Sequence, residues 1–181
     1  IMTVLRLHRT GEPVITSGLV ESGGFGPAGV FLRPGDWLFS GTPVRVTTLL
    51  GSCVAVMLWA PARRIGAMCH CMLPQRRLDD FAPVPDGRYG EEAAQWMEMH
   101  LARCGVGFGE LEATLAGGAS VHGWREIGEA NLRWARDWLA QRGIAVVQQD
   151  VGGRVVRRVS FNLADGGVTV AHGGRVPAQE N

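Results

Sequence analysis

The chain contains no lysine, and it has no apolar run approaching the roughly 20 residues that span a bilayer. Its 18 basic residues are therefore all arginine; they nearly balance 17 acidic residues and leave a net charge of +1. Such an even balance creates no electric field that would recruit nucleic acid or an anionic membrane surface. We expect neither nucleic-acid binding nor direct membrane insertion.

Cysteine is also scarce, and the chain has no CxxC pair, so neither a disulfide framework nor a zinc site is predicted. The cysteines are Cys53, Cys69, Cys71 and Cys104. Residues 1–9 are short and mixed, without the apolar core of a signal peptide. We expect a cytoplasmic protein whose thiols stay reduced and whose activity needs no metal and no cofactor.

Glycine, by contrast, is abundant, with 26 residues in 181, which favours a turn-rich fold with many strands over a helical bundle. Apolar residues at helical spacing predict two helices, at residues 91–104 and 126–143. Because these helices do not alternate regularly with the strands, we expect an α+β fold with a largely antiparallel sheet or sandwich. Seven strands are predicted, at residues 42–51, 53–59, 65–73, 111–115, 144–148, 155–163 and 168–171, although residues 53–59 could also be the first turn of a short helix.

The boundaries of a single domain follow the composition. Residues 1–36 begin with an irregular or edge-strand segment and continue into a glycine- and proline-rich loop, so we expect an irregular N-terminal extension. The folded domain is expected to occupy residues 37–172. Residues 173–181 are expected to form a disordered tail.

A cysteine and a histidine occur on neighbouring predicted strands. Cys53 follows a Gly-Ser turn, and His70 lies near the end of the next apolar strand. A thiol and an imidazole so placed can meet, as a cysteine nucleophile and its base must. Backbone N–H groups of Ser52 and Cys53 at this turn would lower the pKa of the thiol and bind an oxyanion. The alternatives are a small buried cysteine and a histidine that merely packs in the core.

The alternation of side chains along a strand tests a metal site around His70. In an extended strand, His70 shares one face with Met68 and Met72, whereas Cys69 and Cys71 point to the other face. The three potential ligands therefore cannot converge on a zinc ion without a bulge.

The same alternation selects between two threonines. If the chain stays extended up to the turn, Thr47 lies on the Cys53 side and Thr48 on the opposite side. The hydroxyl or carbonyl of Thr47 could then hold the second nitrogen of the imidazole, as the third member of a triad does. Thr47 could equally be no more than a good strand former. Further along, three arginines are expected to form a solvated strand face: Arg154, Arg157 and Arg158.

Five sequence blocks resemble, in the same order, those of the CheD family, the chemoreceptor glutamine deamidases of bacterial chemotaxis. The blocks are TTLLGSCVAV, IGAMCHCMLP, LAGGASV, IGEANLRWARDWL and QQDVGGRVVRRVSF. The resemblance covers residues 38–171, and its most specific parts are LGSCVAV and the GxxxHxMLP block.

This resemblance implies a CheD-like deamidase domain over residues 37–172, folded as a β-sandwich flanked by helices and similar to the catalytic domains of deamidating bacterial toxins. It implies a protein-glutamine glutaminase that converts glutamine side chains of methyl-accepting chemoreceptors into glutamate. The family's nucleophile falls on Cys53, its base on His70 and its third residue on Thr47. The implied partners are the cytoplasmic domains of chemoreceptors, and some members also bind CheC.

Two other functions stay open at this point. One is a non-catalytic module that binds a receptor or CheC. The other is a cysteine hydrolase of a different amide or ester, including the methyl esters of receptor glutamates. The presence of Thr47, Cys53 and His70 together favours an enzyme, because a binding module needs none of the three.

Overall fold

A computed structural model describes residues 5–7, 13–15, 29–80, 82–120 and 125–175. Within these ranges the chain forms eleven strands, two α-helices and a short 3-10 helix at Phe108–Glu110. The helices are α1 (Gly90–Arg103) and α2 (Arg125–Gln141). The strands are β1 (Leu5–Leu7), β2 (Pro13–Ile15), β3 (Gly29–Phe31), β4 (Trp37–Ser40), β5 (Arg45–Leu50), β6 (Val54–Ala60), β7 (Ile65–Cys71), β8 (Glu112–Gly117), β9 (Ala145–Val151), β10 (Val155–Asn162) and β11 (Gly167–Arg175).

The strands form two sheets. The larger has the order β2-β1-β4-β7-β6-β8-β9, and the smaller has the order β11-β10-β5-β3. Neighbouring strands run antiparallel except for the pairs β8–β9 and β3–β5. The prediction of a largely antiparallel α+β sandwich is therefore confirmed.

The larger sheet is the middle layer of three, because both of its faces are covered. One face packs on the smaller sheet through a buried cluster that includes Met57, Met68 and Phe161. The other face packs on the two helices through a cluster that includes Met97 and Leu139. This explains why β6 and β7 are buried at every position and read as continuous apolar runs.

The seven predicted strands and two helices are all present, with ends that shift by a few residues. Residues 53–59, which the sequence left as strand or short helix, form strand β6. Strand β4 was not predicted. All four of its residues are buried between β1 and β7, so it lacks the polar alternation that marks a half-exposed strand.

The described part of residues 1–36 contains more regular structure than the predicted extension. Strands β1 and β2 form one edge of the larger sheet, in agreement with the edge-strand expectation, whereas β3 lies inside the segment predicted as loop. At the other end, β11 continues to Arg175, past the predicted start of the tail at residue 173. The predicted tail beyond residue 175 lies outside the described residues. In the part of the chain that is described, no helix is long and apolar enough to cross a membrane.

The expectation of a solvated arginine face on β10 is wrong for Arg157, whose exposure is only 3%. Its guanidinium donates to the Asp150 carboxylate at 2.7 Å and to the Gly152 carbonyl at 2.8 Å. His172 of β11 holds the second oxygen of Asp150 at 2.8 Å. Since Asp150 belongs to β9 of the larger sheet, this cluster joins the two sheets at one end. Arg154 and Arg158 are exposed, as predicted.

Candidate functional site

Cys53 lies in the turn between β5 and β6, where the chain passes from the smaller sheet to the larger one. Two backbone hydrogen bonds hold this turn. Ala119 N donates to Gly51 O, and Gly118 N donates to Cys53 O, each at 2.8 Å. The close approach of this backbone to Cys53 requires a glycine at position 117. Gly117 has a φ of 106° and lies so close that an added Cβ would overlap the Cys53 carbonyl oxygen. Gly117 and Gly118 thus brace the Cys53 turn.

His70 lies on β7 directly opposite Ala55 of β6. Residues that face each other in an antiparallel pair project to the same side of the sheet, and Cys53 is two residues before Ala55. Cys53 and Ala55 both pack in the cluster between the sheets. The imidazole and the thiol therefore lie on the same face of the larger sheet, an arrangement that a nucleophile and its base require.

A hydrogen bond to the Thr48 hydroxyl fixes the imidazole and its tautomer. The Thr48 hydroxyl lies 2.8 Å from Nδ1 of His70 and donates its only proton to the Leu32 carbonyl, also at 2.8 Å. Toward the imidazole the hydroxyl must then accept, so Nδ1 carries the proton. Nε2 is left as the basic nitrogen, and it is buried with no hydrogen-bond partner among the described residues. The backbone of His70 is held by Asp36 O and Gly35 N.

The expectation that Thr47 faces the imidazole is corrected by this geometry. Thr48 is fully buried between the sheets, whereas Thr47 is half-buried and its carbonyl accepts a hydrogen bond from Leu32 N. The alternation argument assumed that the chain stays extended up to Cys53. The chain instead bends at Gly51 and Ser52, so the residue on the Cys53 side is displaced by one position.

The pKa shifts of the Cys53 thiol and the His70 imidazole both favour the neutral form at pH 7. Burial is the main cause that lowers the pKa of His70 to about 4, and it outweighs the Leu32 carbonyl and the Asp36 carboxylate, which raise it. Burial also raises the pKa of the Cys53 thiol, against the opposing effect of its own backbone N–H. The backbone N–H thus lowers the thiol pKa as expected, but burial outweighs it and the net shift is upward. The site contains a thiol and an imidazole, not a preformed ion pair.

The face occupied by each cysteine of β7 is as predicted. Cys69 and Cys71 are fully buried in the cluster on the helix side, with their sulfur atoms 3.3 Å apart. His70 points to the opposite side, toward Thr48. The three side chains therefore do not converge, which removes the basis for a zinc site at this strand.

The sequence did not single out Asn131 of α2, which is fully buried beside the site. Its Nδ2 donates to the Ser52 carbonyl at 3.1 Å and to the Met72 carbonyl at 2.9 Å. Ser52 is next to Cys53 in sequence, and Met72 is two residues after His70. One amide group thus connects the segments that carry the thiol and the imidazole.

An α+β sandwich with a cysteine and a histidine on the same inter-sheet face holds the two side chains that a cysteine hydrolase requires. The family model for "CheD chemotactic sensory transduction" matches residues 72–172, and this chain belongs to the CheD family. The matched range includes Asn131 and begins just after His70.

Similar proteins are named as deamidases. The chain is 40% identical to "Probable chemoreceptor glutamine deamidase CheD 3" of Dechloromonas aromatica over 78% of this chain and 86% of that protein. It is 39% identical to "Probable chemoreceptor glutamine deamidase CheD 1" of Chromobacterium violaceum, over 80% and 78%. A "Probable chemoreceptor glutamine deamidase CheD" of Methanococcus vannielii is 33% identical over 80% and 96%.

Acidification should destabilise the protein through His70. Its pKa is about 4 when folded and near 6.5 when unfolded, so between these values the unfolded chain binds more protons and stability rises with pH. We expect the free energy of unfolding to fall by up to about 3 kcal/mol as pH drops from 6.5 to 4 through this residue alone. Urea unfolding across this range, compared with His70→Gln, isolates the contribution. Parallel pH profiles for the two proteins would contradict it.

The neighbouring threonines offer a matched pair of substitutions. Thr48→Val keeps the shape of the side chain but removes the hydroxyl that holds Nδ1, so we expect kcat to fall by about tenfold to a hundredfold. Thr47 is one residue away and outside this contact, so we expect Thr47→Val to change kcat by less than about twofold. Steady-state kinetics of both variants decide between them. A larger loss for Thr47→Val would restore Thr47 as the third member of the triad.

Proposed function

We propose that this protein is a chemoreceptor glutamine deamidase that uses Cys53 as its nucleophile. The observation that carries the proposal is the placement, in a CheD-family chain, of a braced thiol on the same inter-sheet face as an imidazole with a fixed tautomer. The basic Nε2 of His70 has no other partner among the described residues and is available to accept the thiol proton.

In the first half of the reaction, His70 takes the proton of Cys53, and the thiolate attacks the carboxamide carbon of a receptor glutamine. Backbone N–H groups of Ser52 and Cys53 stabilise the oxyanion, an effect typically worth a few kcal/mol of barrier. The imidazolium then gives its proton to the departing nitrogen. The C–N bond breaks, ammonia leaves, and a thioester remains on Cys53.

In the second half, the imidazole removes a proton from water, which attacks the thioester carbon. A C–O bond forms and the C–S bond breaks, so that glutamate is released and Cys53 regains its proton. A neutral thiol and a neutral imidazole suit this order of steps, because charge separates only when the substrate carbonyl and the oxyanion donors are in place. The low pKa of His70 keeps the imidazole in its basic form at neutral pH.

The proposed substrates are glutamine side chains on the cytoplasmic domains of methyl-accepting chemoreceptors, which places the protein in the cytoplasm. These glutamines lie on long helical bundles, so we propose a shallow groove that binds a helix surface. CheC is proposed as a regulatory partner. Co-elution of this chain with CheC from the same organism tests that part, and separate elution at micromolar concentrations would contradict it.

The reaction itself is tested by incubating a purified chemoreceptor cytoplasmic fragment with the protein and measuring its intact mass. Each glutamine converted to glutamate adds about one dalton, and peptide mapping names the positions. We expect this gain with the wild-type protein. A receptor fragment from the same organism that shows no gain would contradict the proposed function.

A further inference from the structure

We infer that Asn131 is a positioning residue for the reaction, which aims the backbone N–H of Cys53 by holding the peptide group between Ser52 and Cys53. This inference rests on the proposed role of Cys53. It starts from the two hydrogen bonds that the Asn131 amide makes to opposite sides of the site.

The orientation of the Asn131 amide is determined by its partners. Both neighbours, Ser52 O and Met72 O, are carbonyl oxygens that can only accept, so the group facing them must be the NH2 group. The amide therefore uses both of its protons on the two segments that carry Cys53 and His70. Neither an aspartate nor a leucine could supply these protons at neutral pH.

The bond to Ser52 acts on Cys53 through the planar peptide group. In a trans peptide the C=O of one residue and the N–H of the next point in opposite directions. With the Ser52 carbonyl directed at Asn131, the Cys53 N–H is directed away from α2. That same N–H lowers the pKa of the Cys53 thiol, against the larger opposing effect of burial. It is also one of the two groups proposed to bind the oxyanion.

The helix that carries Asn131 is held firmly against the Cys53 turn. Gly128 lies one turn earlier, and a Cβ added there would be 2.7 Å from the Gly118 carbonyl oxygen. Gly118 and the following residue, Ala119, donate the hydrogen bonds that hold the carbonyl groups of Cys53 and Gly51. Helix α2 therefore approaches as closely as glycine permits, and the amide is placed by a rigid element.

The side-chain amide oxygen of Asn131 shows that the residue is not optimised for stability. Its Oδ1 is buried without a hydrogen-bond partner in the ranges that the structure describes. An unpartnered buried acceptor is unfavourable, and an apolar residue would avoid it. A residue that keeps two directed bonds at this cost fits a role in the geometry of the reacting groups.

The test compares Asn131→Asp, which keeps the shape but cannot donate, with Asn131→Ser, which keeps one donor. We expect Asn131→Asp to lower kcat by about tenfold to a hundredfold with KM changed by less than about twofold, as for a weakened oxyanion site. The midpoint of the pH profile for alkylation of Cys53 by iodoacetamide should shift upward. Asn131→Ser should lie between Asn131→Asp and the wild type on both measures.

Leu139→Ala provides the control, because Leu139 is a buried residue two turns further along α2 that packs in the cluster on the helix side of the larger sheet. It should lower the melting temperature while leaving kcat and the alkylation midpoint unchanged. The inference is overturned if Asn131→Asp retains the wild-type kcat and midpoint, or if Leu139→Ala reproduces its losses. The alkylation profile needs no receptor, so it reports on Asn131 and the Cys53 thiol even if no receptor fragment is deamidated. An absence of deamidation with an alkylation midpoint that shifts as expected would contradict the proposed function but not the contact between Asn131 and the Cys53 turn.

Discussion

Replacement of Cys53 by alanine is expected to abolish deamidation, with a loss on the order of 10⁴-fold or more in kcat, because no other group can form the thioester. The loss should leave the fold intact. The thiol is only half-buried, and the bonds that hold the turn come from backbone atoms that alanine retains. Ammonia release from a receptor fragment measures the rate, and thermal unfolding measures the stability.

Cys104→Ala is the matched control, because Cys104 is also half-buried and free but lies at the end of α1. It should keep full activity. A Cys53→Ala protein that still releases ammonia at a rate near that of the wild type would exclude Cys53 as the nucleophile.

The largest expected change in stability comes from Asp150→Asn, which removes the charge opposite Arg157. The guanidinium is buried, whereas Asp150 is partly exposed. Breaking such a pair leaves an uncompensated charge in the interior, so we expect the free energy of unfolding to fall by about 3 kcal/mol. Equilibrium denaturation with urea at pH 7 measures the effect.

Arg158→Gln supplies the comparison for this prediction. Arg158 is the next residue on β10 but is exposed, so its removal should change stability by no more than about 0.5 kcal/mol. Equal effects of Asp150→Asn and Arg158→Gln would mean that the cluster joining the two sheets contributes no more than a surface pair.

The sequence was informative wherever the chain follows one regular period. Strand β7 stays extended, so alternation correctly placed His70 opposite to Cys69 and Cys71. The same rule failed for Thr47, because the bend at Gly51 and Ser52 breaks the period before Cys53. The alternation rule therefore predicts which face a side chain occupies within one strand, but not beyond a turn whose conformation is unknown.

Two buried residues whose roles the sequence did not reveal, Asn131 and Arg157, are polar residues within apolar patterns. Asn131 lies on the buried side of α2, together with Ala135 and Trp138. Arg157 lies in step with Val159 and Phe161 on the inward face of β10. A polar residue in such a position must have a partner from elsewhere in the chain. The pattern could have shown that Asn131 and Arg157 are special, but the partners depend on long-range packing.

The most direct test of the account is mass spectrometry of a chemoreceptor fragment treated with the protein in water enriched in ¹⁸O. Hydrolysis of a thioester on Cys53 places one solvent oxygen in each new glutamate, so we expect a gain of about three daltons per site, against about one in ordinary water. Cys53→Ala should give neither gain. Conversion that persists in Cys53→Ala, or product without the heavy oxygen, would contradict cysteine-dependent hydrolysis of receptor glutamines.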